Sequence, residues 1–445
     1  MKYGSLCRFL VVFVATSTCR AQQPPVLTLE AAVSAAIAGN KQIQISALDV
    51  TKASEATAEA RTARLPQLHS YILGGVALNP IDFTIPRGTL GVYPGIGPLP
   101  AQDSTISTPR RLTALVYGSA AQPISQLFFK IRLGIRESQL GEQLARENLR
   151  QQRQETAHQV RQAYYELVET QTQIASAETT LQYLTELAAL TERNLAEQTV
   201  LKSDTLNVKV KLSQQRFQLL SLRDAQDTRK EALNRLLGRD IRTEFSVEPE
   251  PLPSVEELDL AAAQKKAIEQ RPEIRKADLQ TAKAELDVRR ERAEYLPNFS
   301  LQLSYLSLAN VNFLPQNVTS AGFLFEWQPF DWGQKHHRIQ ALQATVKQAT
   351  LTTQDAEQQI LIDVNAKYRK LLETRALLDT QAASQDAERE KLRVVMNRYK
   401  ENAVLLADVL QQQSSLAQAD SQYQQSVAGF WKAKADFERA LGEEY

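Results

Sequence analysis

The sequence predicts a mainly α fold with a minority of β-strand, laid out as two similar halves. Three observations predict it. First, the chain repeats itself. LTLEAAVSAAIAGNKQIQ from Leu27 returns as LDLAAAQKKAIEQRPEIR from Leu258, and RLPQLHSYILGG from Arg64 returns as YLPNFSLQLSYL from Tyr295. Leu27/Leu258, Ile43/Ile274 and Pro66/Pro297 are each 231 residues apart, while Tyr164/Tyr368, Asp204/Asp408 and Gly238/Gly442 share an offset of 204. Two copies of this length are an internal duplication, not a solenoid. Second, Gln, Ala, Leu, Glu and Arg dominate long stretches almost free of Gly and Pro, a helical composition. Third, a segment of alternating side chains follows an LP pair in each copy, the period of a strand.

In chain order, Leu29–Ala38 and Gln42–Ala63 read as helices separated at Gly39-Asn40 and stopped by Pro66. His69–Asn79 reads as a strand, 80–109 as a long exposed Pro/Gly-rich loop, and Leu112–Ala121 as a second strand. A helix over about 127–197 would be roughly 100 Å long. A break near 198–203 precedes a return helix to Leu237, with Gly238 as its C-cap. The second copy repeats this plan: helices 258–270 and 272–294, strands 298–308 and 320–328 around a short loop, then a long helix 334–400 and a return helix 404–441. The expected units are therefore a first repeat over 22–238 (strand hairpin about 67–122, helical hairpin about 127–237), a linker over 239–257, and a second repeat over 258–442 (strand hairpin about 298–328, helical hairpin about 334–441). Apolar rows at three- and four-residue spacing, such as Ile339, Leu342, Val346 and Ile360, or Leu416, Ala419, Tyr423, Val427 and Phe430, are coiled-coil seams.

The first 21 residues read as a signal peptide: Lys2 and Arg8, a short apolar core from Phe9 to Ala15, and small residues up to Ala21. Both cysteines, Cys7 and Cys19, fall within it, so the mature chain has no disulfide. Cys19 as a lipid anchor is the alternative, but Thr16-Ser17-Thr18 lacks the apolar residue wanted three places before it. Charge balances, with 52 basic and 51 acidic residues. Neither a basic surplus nor a clustered basic face is seen, which argues against nucleic acid as a partner. No apolar run after the leader reaches the ~18 residues of a transmembrane helix. That leaves open a transmembrane β-barrel, whose strands keep hydropathy low. Four strands are too few for a barrel of at least ~8, and open edges cannot face lipid. Strands entering a membrane would have to be pooled, and three chains supply twelve.

The duplicated LxLxxA…N/RP-x-I opening, the LP before each first strand, the QPI and QPFDWG segments closing each strand pair, and the tips VLKSDTL and VLLADVL with terminal LLG and ALG resemble the TolC family of outer-membrane efflux proteins over about Leu27 to Gly442. The resemblance implies a homotrimer with a twelve-stranded outer-membrane β-barrel continued by a periplasmic tunnel of long helices, in a Gram-negative type of cell. It implies partners: a periplasmic adaptor (membrane fusion) protein, an inner-membrane transporter and outer-membrane lipid. It also implies a periplasmic gate at the second hairpin tip. Tyr399 falls where a gate tyrosine stands and Asp408 on the first of two gate aspartates. Gln411 replaces the second, and Val404 takes the place of a gate arginine. Asp204 is the first-half counterpart of Asp408. Gln198 and Asn402 replace a glycine usual at the turn. Val200, Leu201, Leu206, Val404, Leu405 and Leu410 are the tip residues expected to meet the adaptor.

Tyr71, Phe323, Phe325, Trp327, Phe330 and Trp332 are candidates for a lipid-facing aromatic girdle. His336 and His337 are adjacent and diverge on a helix, so they make no metal pair. No G-x-S-x-G, P-loop or H-E-x-x-H is present, and no cofactor motif. The expected role is a passive exit duct rather than an enzyme. A periplasmic coiled-coil adaptor or scaffold is the alternative, which should show one helical hairpin flanked by small β-domains.

Overall fold

The computed structural model describes residues 25–76, 78–79, 81–108, 112–198, 200–249, 251, 259–309, 316–401 and 403–443; the expected leader with both cysteines, Asn402 and most of the linker's second half lie outside the described residues. β1 (Val26–Leu27) leads into α1 (Leu29–Gly39) and α2 (Lys41–Thr62). The Thr28 hydroxyl accepts the Ala31 N–H at 3.3 Å and so caps α1. Asn40 restarts the helix, because its Oδ1 accepts the Gln42 N–H at 2.9 Å while its Nδ2 donates to the Leu236 carbonyl at 2.7 Å. The second copy solves the same turn differently. Asp259 caps α6 (Leu260–Gln270) through the Ala261 N–H at 2.9 Å. Pro272 opens α7 (Pro272–Ala293), and Arg271 pairs with Asp363 at 3.0 Å.

β2 (Gln67–Val76) pairs with β7 (Leu112–Pro123), and β9 (Asn298–Ala309) with β10 (Asn317–Glu326), all antiparallel. β10 lies three residues earlier than its expected start. Asn317 Oδ1 accepts both the Tyr305 and Ser307 hydroxyls at 2.9 Å, which pins the strand's first rung. At the other end Trp327 Nε1 donates to the Tyr295 carbonyl at 3.2 Å and Pro329 follows, so the chain leaves the sheet before Gln328. The region expected as a loop between β2 and β7 is itself folded. β3 (Ile81–Ile85) pairs with β6 (Ser104–Thr108), enclosing a pair of β4 (Val92–Tyr93) with β5 (Gly97–Pro98). Pro and Gly density hid two nested hairpins whose strands, such as Phe83-Thr84-Ile85 and Thr105-Ile106, are β-formers.

After β7 come α3 (Ile124–Phe128), the 67-residue α4 (Lys130–Ala196) and α5 (Lys202–Leu237). After β10 come the equally long α8 (Gln334–Lys400) and α9 (Leu406–Ala440). The sheet order is β10-β9-β7-β2. The helices joined to these strands, α8, α7, α4 and α2, pack side by side in that same order. The sheet therefore passes strand by strand into a helical layer, and β2 and β10 remain as its two edges.

The main core sits where α1, α4, α6, α8 and α9 meet, and includes Ala36, Val160, Leu167, Val364, Phe430 and Phe437. In the seam read from Leu416 to Phe430, Ala419 and Phe430 are buried, and Tyr423 and Val427 pack partly buried against the core. Tyr164, only 1% exposed, places its hydroxyl 3.1 Å from the Leu27 carbonyl and 2.8 Å from that of Glu248, and accepts the Glu248 N–H at 3.3 Å. It thereby fastens to α4 a small parallel pair of β1 with β8 (Ser246–Val247) that the periodicity of the sequence does not reveal. Tyr164→Phe is expected to lower stability by about 1–2 kcal/mol by leaving a buried carbonyl unsatisfied, measured as the shift in the chemical-denaturation midpoint of the purified protein.

Candidate functional site

The far ends of the two helical hairpins form a second, separate apolar cluster. Leu184, Leu187 and Ala188 of α4 and Val208 of α5 pack with Tyr399 of α8 and with Leu406 and Val409 of α9. Tyr399 is thus the point at which the second hairpin inserts into the first, and it is 8% exposed. Burial pushes its phenol pKa up and the Asp204 carboxylate adds to this, while its interaction with the Asn194 side chain acts in the opposite direction. Neighbouring Tyr183 is pushed up to about 12, first by burial and then by Tyr399. Both phenols therefore stay neutral in the physiological range. Two gate candidates distant in sequence, Tyr399 and Asp204, are brought together here.

Asp408 and Gln411 stand elsewhere, exposed on the first turns of α9. Asp408 accepts the Leu405 N–H at 3.0 Å, a carboxylate capping the helix start. Capping and lining a bore are compatible, since the charge stays at the surface. Gln198 carries the turn in the left-handed region at φ 62° although it bears a Cβ. Of the residues expected to meet an adaptor, Leu201, Leu206 and Leu405 are exposed. Val200 is half-buried. Val404 and Leu410 are half-buried and also pack against the tip cluster.

One exposed row escaped sequence reading. Leu206, Val210, Phe217 and Leu220 of α5 are all more than half exposed. Their spacing of four, seven and three is a heptad seam with nothing against it among the described residues. That spacing was the available signal.

Strand register sorts the girdle candidates. Residues directly paired across strands share a face. His69, Ser119, Ser304 and Ser320 form one row, and Tyr71, Tyr117, Leu306 and Val318 form the next row of the same face. Phe325 opposite Phe299, Phe323 opposite Leu301, and the row Leu68, Ala120, Leu303 and Ala321 lie on the other face. Tyr71, with its ring centroid 5.1 Å from that of Tyr117, therefore shares a face with the serines and is separated from Phe323 and Phe325. A single girdle cannot contain all three. The strict two-residue alternation of a strand, carried across two hairpins, decides this. Trp327, Phe330 and Trp332 lie beyond the end of β10, all exposed.

Among the described residues no group of His, Cys, Asp and Glu is arranged to hold a metal ion, and no helix is long and apolar enough to cross a membrane.

The fold and its tip define a class: a duplicated subunit in which a small open sheet continues into two long helical hairpins closed at their far ends by one apolar cluster. Residues 263–443 match the family described as outer membrane efflux protein, so the chain carries that family's sequence pattern through its second repeat. Solved structures share the whole architecture. The outer-membrane channel OprN aligns with a TM-score of 0.74 at 18% identity, over 93% of this chain and 89% of its own. The Campylobacter jejuni CmeC outer membrane channel aligns with a TM-score of 0.74 at 15% identity, over 93% and 85%. The Neisseria gonorrhoeae MtrE outer membrane channel, in its open state, aligns with a TM-score of 0.70 at 17% identity, over 93% and 88%. The likeness to these three is one of fold. Curated proteins give no match.

Proposed function

We propose that the chain is the outer-membrane exit duct of a tripartite efflux or type I secretion system. As a homotrimer it would join three four-stranded sheets into one barrel and three helical layers into a tunnel. It would receive cargo from an inner-membrane transporter through a periplasmic adaptor. The observation that carries this reading is the shared order of sheet and helical layer, with β2 and β10 left as edges. A sheet edge cannot face lipid unpaired, and β10 of one copy beside β2 of the next closes the ring. The exposed seam on α5 suits the corresponding helix-to-helix contact. The family match and the folds of OprN, CmeC and MtrE support the same reading. An adaptor needs one hairpin between small β-domains, whereas this chain has two hairpins, each continuous with its own strand pair. No catalysis is required of it: the partner supplies the energy and the duct supplies the path.

Fractionation tests the proposal. A trimer recovered from the outer membrane that heating dissociates supports it, and a soluble monomer eliminates it. The gate has its own test. Three Asp408 carboxylates around one axis would concentrate negative potential in a narrow bore and favour cations. Asp408→Asn keeps an acceptor for the Leu405 N–H while removing the charge. Reduced cation selectivity and cation block are expected in single-channel recordings of the trimer; unchanged selectivity would remove Asp408 from the gate.

A further inference from the structure

The chain's charges balance in sequence, but the fold gathers an imbalance at one level. Four chain segments cross the junction between sheet and helical layer: 61–65, 128–138, 289–296 and 330–338. Together they hold ten Lys and Arg but only four Asp and Glu. All four carboxylates are engaged: Glu294 by Lys130 at 2.8 Å, Glu137 by Arg290 at 2.7 Å, Glu291 by Arg338 at 3.2 Å, and Asp331 by Lys335 at 4.0 Å. Arg64, Arg132 and Arg292 are exposed and have no carboxylate partner among the described residues. No basic cluster shows along the sequence because its members come from four separate stretches.

The same level carries exposed aromatic pairs, one after the last strand of each repeat. Phe128 and Phe129 follow β7; Phe330 and Trp332 follow β10, with ring centroids 4.9 Å apart. Trp332 is 89% exposed, and its backbone is held at φ 57°, a left-handed conformation that side chains with a Cβ avoid. Asp331 fixes the turn by accepting the Gly333 N–H at 3.1 Å and the Lys335 N–H at 3.0 Å. Strain retained to hold an indole in solvent points to an occupant that the indole meets. An aromatic ring beside a surplus of arginine matches a membrane interface, with rings at headgroup depth and cations on lipid phosphates.

We infer that this junction is a binding belt for anionic phospholipid headgroups of the periplasmic leaflet, with Trp332 and Phe330 as its aromatic anchor and Arg64, Arg132 and Arg292 as its headgroup contacts. The inference rests on the outer-membrane reading above and adds a lipid preference to it. The apolar face carrying Phe299, Phe323 and Phe325 runs down to this belt, so the lipid-facing surface and the headgroup contacts are continuous.

The test uses the full-length protein in nanodiscs of phosphatidylethanolamine containing a minority of acyl-brominated phosphatidylglycerol or, separately, acyl-brominated phosphatidylethanolamine. The Trp332 signal is the emission of the wild type less that of Trp332→Phe. Brominated phosphatidylglycerol is expected to quench it with a relative association constant about fivefold higher or more, roughly the effect of one basic residue beside an anionic surface. High salt should reduce the preference. The combined Arg64→Gln, Arg132→Gln and Arg292→Gln variant should bring the ratio close to one. Equal quenching of the wild type by both lipids overturns the anionic preference. Absence of quenching by either lipid, in protein that has entered nanodiscs, overturns the belt by placing Trp332 against protein. Failure to enter nanodiscs at all overturns the outer-membrane reading itself, and size-exclusion chromatography separates that outcome from the other two.

Discussion

Tyr399→Ala is expected to raise the open-to-closed ratio of the reconstituted protein by about tenfold to a hundredfold, while Tyr399→Phe stays close to wild type. The ring is buried in a cluster drawn from both hairpins, among Leu184, Leu187, Val208 and Val409. Its removal costs about 3 kcal/mol of cohesion at the tip. If opening separates the hairpins, that loss moves the closed–open equilibrium by roughly two orders of magnitude. Phenylalanine fills the same volume and gives up only the hydroxyl, whose interaction with Asn194 falls short of a full hydrogen bond. The pair therefore separates packing from that polar interaction. Planar-bilayer recordings of both variants decide the matter: equal opening by Phe and Ala would transfer the closing force from the ring to the hydroxyl and to Asp204 beside it.

Gly238→Ala is the second large effect, on stability. Gly238 ends α5 at φ 73°, where only glycine is unstrained, and a Cβ there would overlap the Gly39 carbonyl. Gly39 is equally constrained from the other side, since its own Cβ would lie 2.5 Å from the Leu237 carbonyl. Backbone meets backbone at this crossing, so no side chain can move aside. A loss of about 3 kcal/mol or more is expected from overlap and strain together. Gly95→Ala provides the control. Gly95 has φ 84° but open space around it, so only the conformational cost of roughly 1–2 kcal/mol applies. Thermal unfolding followed by helical circular dichroism should rank the two, and equal losses would show that the close contact adds nothing.

Particular residues show where the sequence was legible. The long helices were readable because seventy-residue runs without proline leave few alternatives, and Gly238 sits as the C-cap its position promised. The family resemblance pointed to the tip and to Tyr399, and the 204-residue offset gave Asp204 as the counterpart of Asp408. The nested hairpins between β2 and β7 were not readable, because their prolines and glycines mark turns and coil alike. That Val404 and Leu410 also contribute to the tip cluster was not readable, because partly buried and exposed apolar side chains look the same until the neighbouring helix is placed. Tyr71 was grouped with Phe323 and Phe325 because aromatic type, unlike register, can be read along one strand.

By itself the sequence determined the duplication, the element order and the two-hairpin plan, since these depend on periodicity, capping and turn chemistry within short spans of chain. Only the tertiary structure decided three further things: that sheet and helices share one lateral order, that Tyr399 of one hairpin is buried in the other, and that four separated segments of a charge-balanced chain meet as a basic belt. Each is a juxtaposition of residues far apart in sequence. Local physics forms the elements, but packing between them chooses which side chains meet, and no pattern within a single element records that choice.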